Sequence, residues 1–116
     1  LINEAFKILQ DDYLRAEYIL KIKGEFIDDN KLKNLLSPNQ LEEILENYEL
    51  IEITQDLSQL HKLHHDKNED CQKLVLKLEQ EFKANNLKQA LDLTARLKYL
   101  TNLVGNIKLK IKNANN

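Results

Sequence analysis

Ser37-Pro38-Asn39-Gln40-Leu41-Glu42-Glu43-Ile44-Leu45-Glu46-Asn47-Tyr48-Glu49-Leu50 carries the clearest folding signal in the chain. Ser37 is placed as an N-cap, and Pro38 takes the first helical position, where its missing N–H has no intrahelical partner in any case. Gln40 stands three residues after the serine and completes a capping box. The spacing predicts a helix from Pro38 to about Thr54. At about 100° per residue, Ile44, Tyr48, Ile51, Leu41 and Leu45 fall within an arc of about 120°, with the two leucines at one edge beside Glu42 and Glu49.

Downstream, a second helix is predicted from near Asp56 or Ser58 to about Ala84. Leu57, Leu60, His64, Cys71, Val75, Leu78 and Phe82 form a nearly heptad stripe along it. Asn85-Asn86 interrupts the run, and Asn86 can cap a final helix with Gln89 three residues on. Leu87, Ala90, Leu91, Thr94, Leu97, Thr101, Val104 and Ile111 share one broad face of that helix. Three helices with short joins predict an all-α fold with a C-terminal antiparallel three-helix bundle. Residues 113–116 read as a polar tail.

Upstream, Ile2, Ala5, Phe6 and Leu9 recur at helical spacing, and Gln10-Asp11-Asp12 reads as an interruption. A second short helix then carries Leu14, Tyr18 and Ile22 at spacing four, with Ala16 and Ile19 beside them. Gly24 stands where a left-handed residue closes a helix. Residues 24–36 read as a connector pinned to the body by Phe26, Ile27, Leu32 and Leu35.

Composition agrees with helices. The 116 residues include two glycines and one proline, where average usage gives about 8 and 6, so a turn-rich sandwich or barrel is excluded. A net charge of -2 gives no electrostatic reason to bind nucleic acid. No apolar run approaches the roughly 18 residues of a membrane span. The single cysteine, Cys71, excludes an internal disulfide and fits a reducing compartment. The chain opens Leu1-Ile2-Asn3 and lacks methionine throughout, as expected of a piece of a longer protein, so any targeting segment would lie outside it.

Charge is segregated. Between Pro38 and Ser58 stand six acidic residues and no basic one, whereas from Leu93 onward stand five basic residues and no acidic one. The two regions either attract each other within the chain or steer a charged partner. His61, His64, His65, Asp66, Glu69 and Cys71 are the one group of metal-ligand types. His61 and His65 share a face, but His64 and Cys71 point along the apolar stripe, so neither a metal nor any other cofactor is expected. There is no glycine-rich phosphate loop and no nucleophile with an obvious base, so catalysis is not expected either. Tyr99 lies about 120° from Leu87, outside the main apolar face, with Leu103 on the same side. It is either packed on the connector and first helices or an interface anchor. If Leu41 and Leu45 approach it, the three make a small apolar patch bordered by Glu46 and Glu49.

These residues resemble a known family. Ile2-Asn3-Glu4-Ala5-Phe6-Lys7-Ile8-Leu9, followed by Asp11, Arg15-Ala16-Glu17-Tyr18-Ile19-Leu20 and Gly24, resembles the last third of a J-domain in HscB-type co-chaperones of iron–sulfur cluster assembly. Leu41 to Leu50 is similar to that family's acidic, leucine-bearing helix, and Ala90 through Arg96-Leu97-Lys98-Tyr99-Leu100 and Leu103 is similar to its closing helix. The resemblance implies a J-domain remnant over 1–23, a connector over 24–36 and a scaffold-binding bundle over 37–116. It implies binding to an IscU-type cluster scaffold and its presentation to an HscA-type Hsp70, in a bacterial cytoplasm or a mitochondrial matrix. Scaffold contacts then fall on Leu41, Leu45, Glu46, Glu49 and Tyr99. The sequence departs from the family in Glu42, where an apolar residue is frequent, and in Tyr48, where a basic one is. The His-Pro-Asp motif that stimulates the Hsp70 is not in this chain, so scaffold binding without ATPase stimulation is expected. A self-associating helical adaptor using the same leucines is the competing expectation.

Overall fold

The computed structural model describes the backbone of residues 2–114 and the side chains of residues 11–114. Its regular elements are α1 (Ile2–Ile22), α2 (Asp29–Asn34), α3 (Pro38–Ile53), α4 (Leu57–Lys83) and α5 (Leu87–Ala114), with no strand among the described residues. The start of α3 forms the predicted capping box: Ser37 Oγ accepts from the Gln40 amide at 3.1 Å, and Gln40 Oε1 accepts from the Ser37 amide at 2.9 Å. The Thr54 hydroxyl donates to the Leu50 carbonyl at 2.6 Å as α3 ends. Asp56 then caps α4 by accepting from the Ser58 amide at 2.9 Å. Local side-chain bonds thus settle a sharp reversal within three residues.

Two Schellman closures set the other turns. Gly24 has φ +92, its amide donates to the Lys21 carbonyl at 3.0 Å, and the Glu25 amide donates to the Leu20 carbonyl at 2.9 Å. Asn85 has φ +58 and repeats the pattern, with Asn85 bonded to Phe82 and Asn86 to Glu81. Asparagine is one of the few side-chain-bearing residues that tolerate this left-handed conformation. The break predicted at Asn85-Asn86 therefore has a definite geometry.

α5 is the axis of the molecule. Its 28 residues extend about 42 Å and account for the long dimension of the 45 × 31 × 20 Å body. On one side, Ala90, Leu91, Leu93, Leu97 and Val104 pack with Cys71, Leu74 and Leu78 of α4 and with Ala16 and Leu20 of α1. On the other, Ala95 meets Leu32 and Leu36, and further along Leu103, Ile107 and Ile111 meet Ile51 of α3 and Leu60 of α4. The start of α3 is thus beside the first half of α5 and its end beside the second half, so these two run parallel with α4 antiparallel to both. α1 lies along α4 and α5. Lys23 Nζ near its end donates to Asn85 Oδ1 at 3.0 Å.

Two expectations are corrected upstream. The pair of short helices is one continuous α1. Gln10, Asp11 and Asp12 cost only tenths of a kcal/mol each as helix interior residues, and neither glycine nor proline forces a break there. Within the helix Tyr13 Oη donates to Glu17 at 2.9 Å, and Asp12 pairs with Arg15 at 3.6 Å. The stripe Leu14, Tyr18 and Ile22 faces outward at 55%, 63% and 67% exposure, while Ala16 and Leu20 face the core. In the connector, Phe26 is exposed and does not pin it. Ile27, Leu32 and Leu35 do, joined by the buried Leu36 and supported by α2, whose cap Asp28 accepts from the Lys31 amide at 2.7 Å.

Candidate protein-binding site

α3 rests on α5 through Ile51, which is buried, and through Leu41, Ile44 and Tyr48, which are half-buried. Its outward side holds Glu42, Glu46 and Glu49, all exposed, and Leu45, which is 63% exposed. Tyr99 of α5 is half-buried at the contact of the two helices, in one apolar cluster with Leu41, Ile44, Leu32, Leu36 and Tyr13. Leu41 and Tyr99 thus pack against the same cluster of Leu32, Leu36 and Ala95, and Leu45 stays outside it in water. Glu46 and Glu49 hold no ion pair among the described residues.

Tyr99 stands off the main apolar face because α5 has two apolar faces. Ala95, Tyr99 and Leu103 belong to the second, which α2 and α3 cover. The ring packs partly as a core residue against the connector and α1, and it keeps part of its surface accessible. Tyr48 is a neighbour that periodicity placed only in the apolar arc. Its phenol pKa is raised by burial and then by the charge interaction with Tyr99. Tyr13 is raised likewise, through burial and then through its bond to Glu17.

The acidic helix and the basic end of α5 do meet. Lys110 Nζ donates to the carbonyls of Ile51 and Glu52, at 2.5 and 2.7 Å. A cation is thus placed on the unsatisfied C-terminal carbonyls of α3, where the helix dipole is negative. Further up, Lys98 bonds Asp29 and ties α2 to α5. Neither contact pairs a cation with a carboxylate of α3, and Glu46 and Glu49 lie outside both.

The histidine region divides. His65, Asp66 and Glu69 gather three exposed donor atoms within 4.8 Å of one another, one short of the usual four-ligand closed zinc site. His65 Nε2 and Glu69 are 3.6 Å apart. His64 is half-buried, its pKa lowered by burial and then by His61, Lys108 and His65, which keeps it neutral near pH 7. Cys71 is 0% exposed, and burial pushes its thiol pKa up to about 12. At pH 8 its thiolate fraction is about a thousandfold below that of a free thiol. Iodoacetamide is therefore expected to leave Cys71 unmodified in the native protein for hours and to label it fully in guanidinium chloride, as mass spectrometry will read; rapid native labelling would contradict the burial.

Among the described residues no helix is long and apolar enough to cross a membrane. No solved structure gives a significant match to the chain. A family model described as the HSCB C-terminal oligomerisation domain matches residues 36–108, which take in α3, α4 and most of α5. That stretch is more than half of the chain, and with its all-helical fold the chain belongs to the HscB family of co-chaperones, which act in iron–sulfur cluster assembly.

Proposed function

We propose that this chain is the scaffold-binding part of an iron–sulfur cluster co-chaperone, with residues 37–116 as the binding domain, 24–36 as its connector and 1–23 as the end of a J-domain. The partner is an IscU-type scaffold. Leu41, Leu45 and the accessible edge of Tyr99 bury against it, while Glu46 and Glu49 face basic groups on its rim. Presentation to an HscA-type Hsp70 runs through the part of the J-domain outside this chain. The role is binding, with no catalytic step and no cofactor, in a bacterial cytoplasm or a mitochondrial matrix.

The observation that supports this most is Leu45, which is 63% exposed in the first half of α3, where Leu41, Ile44 and Tyr48 are half-buried, whereas the exposed Leu50 and Ile53 stand at the helix end. Leu45 borders Glu46 and Glu49, which hold no ion pair among the described residues. A large aliphatic group held in water with a charged rim has the make-up of an interface centre and its edge. Because Leu45 makes few contacts in the free chain, Leu45→Ala separates binding from folding. Calorimetry with an IscU-type scaffold is expected to show a loss of about 1–3 kcal/mol, or about 5- to 150-fold in affinity, with unchanged helicity. An unaltered affinity removes Leu45 from the interface.

Self-association is the second reading, favoured by the family description as an oligomerisation domain and by Ile53 at 73% exposure close to the same helix face. Light scattering discriminates the two. A stable dimer that covers Leu45 and Tyr99 and excludes the scaffold would replace the co-chaperone reading.

A further inference from the structure

The opposite side of α3 opens on a cleft that shares only Tyr99 with the patch above. α3 rests on α5 with little direct contact to α4, and the gap between α3 and α4 is a groove of about 400 Å³. Ile44, Leu74, Leu100 and Leu103 give it an apolar floor. Gln40, Glu43 and Asn47 line the α3 wall. They lie about 140–160° around the helix from Leu45 at 100° per residue. The groove and the exposed leucine are thus on different sides of the same helix.

The charge of the groove runs against that of the chain. Lys67, Lys73 and Lys77 line the α4 wall, Arg96 comes from α5, and only Glu43 and Asp70 oppose them. None of the four cations holds an ion pair among the described residues. A local cationic excess in a chain of net charge -2 selects anionic partners.

Length decides what kind of anion. Lys67 and Lys77 are ten residues apart on one helix, about 15 Å, so a small anion reaches one or two of the cations and leaves the others idle. An extended peptide of about five residues spans the same distance at about 3.3 Å per residue and turns alternate side chains to opposite sides. A groove of 400 Å³ along that length is too narrow for a whole helix of about 10 Å diameter. A nucleic-acid backbone would bring phosphates against Glu43 and Asp70 and would leave the aliphatic floor without a partner.

We propose that this groove takes a short extended acidic segment of a partner protein, carboxylates on Lys67, Lys73, Lys77 and Arg96 and alternate aliphatic side chains on the floor. The site is independent of the scaffold patch, apart from Tyr99, which touches both.

The test uses the full chain and a fluorescein-labelled, end-blocked peptide of about seven residues alternating glutamate and leucine, with glutamine–leucine and lysine–leucine peptides as comparators. Anisotropy is expected to show the glutamate peptide binding on the order of tenfold or more tighter than the glutamine one, weakening with salt. Lys73→Glu combined with Lys77→Glu is expected to cut that binding on the order of tenfold or more, with circular dichroism unchanged because both residues are exposed. Leu45→Ala is expected to leave it intact, so loss of scaffold binding and loss of peptide binding report separately. Equal binding of the glutamine peptide, indifference to the double charge reversal, or tighter capture of an oligouridylate by the same lysines would each overturn the proposal.

Discussion

Leu97→Ala is expected to lower the free energy of unfolding by about 2–5 kcal/mol, a large share of the roughly 5–15 kcal/mol that holds a domain of this size. Leu97 is 0% exposed at the middle of α5 and lies in the cluster that joins α5 to α4 and α1. Truncation would remove its transfer free energy and leave a cavity lined by Cys71, Leu74, Ala16 and Leu20, which belong to two other helices. Three helices cannot close on one missing side chain without disturbing their other contacts, so the cost falls toward the upper part of that range. Chemical denaturation followed by circular dichroism measures it. Leu109→Ala on the same helix, at 55% exposure, is expected to stay within about 0.5 kcal/mol of wild type. Equal losses at the two positions would mean that α5 is not the axis of the fold.

The helix ends were legible because their determinants are local. Ser37 and Gln40 satisfy each other across three residues, Gly24 and Asn85 supply left-handed closures, and Asp56 caps α4 within two residues of itself. No distant partner is needed for any of them. The inner face of α1 was a different problem. Leu14, Tyr18 and Ile22 form one spacing-four line and Ala16 and Leu20 another, and only the surfaces of α4 and α5 decide which line is buried. The exposed line is the more hydrophobic of the two, while the buried one contains an alanine that lets the helices approach closely.

Tyr99 shows the same limit from the other direction. A helical wheel with one apolar face leaves it stranded, yet α5 touches every other helix and needs apolar residues around most of its circumference. Spacing put Tyr99 off the main face and left its approach to Leu41 conditional, and its packing on the Leu32, Leu36 and Ala95 cluster needed the tertiary fold. The cationic wall of Lys67, Lys73 and Lys77 did not stand out in the sequence, because Asp66, Glu69 and Asp70 are interspersed with these lysines along α4. Nor did what faces it across the groove, because that depends on how far α3 stands from α4.

The dual role of Tyr99 makes its variants the most demanding test of the scaffold patch. Tyr99→Ala is expected to weaken binding of an IscU-type scaffold by about 2–4 kcal/mol, about 30- to 1000-fold, since an aromatic anchor at the centre of an interface exceeds an aliphatic group at its side. Part of that loss passes through folding, because the half-buried ring packs on the cluster of Leu32, Leu36 and Ala95 that also seats Leu41 and Ile44 of α3, and its removal would let α3 shift on α5. Tyr99→Phe separates the two contributions. It keeps the ring that packs on the Leu32, Leu36 and Ala95 cluster and removes only the hydroxyl, for which the structure gives no hydrogen-bond partner among the described residues, so stability is expected to stay within about 0.5 kcal/mol. If scaffold affinity also survives Tyr99→Phe but falls in Tyr99→Ala and in Leu45→Ala, the interface reads aliphatic and aromatic surface, as an apolar centre requires. If Tyr99→Ala loses stability and keeps affinity once corrected for the unfolded fraction, the ring is a structural wedge between α3 and α5, and the scaffold contact has to be rebuilt from Leu45 and the carboxylates alone.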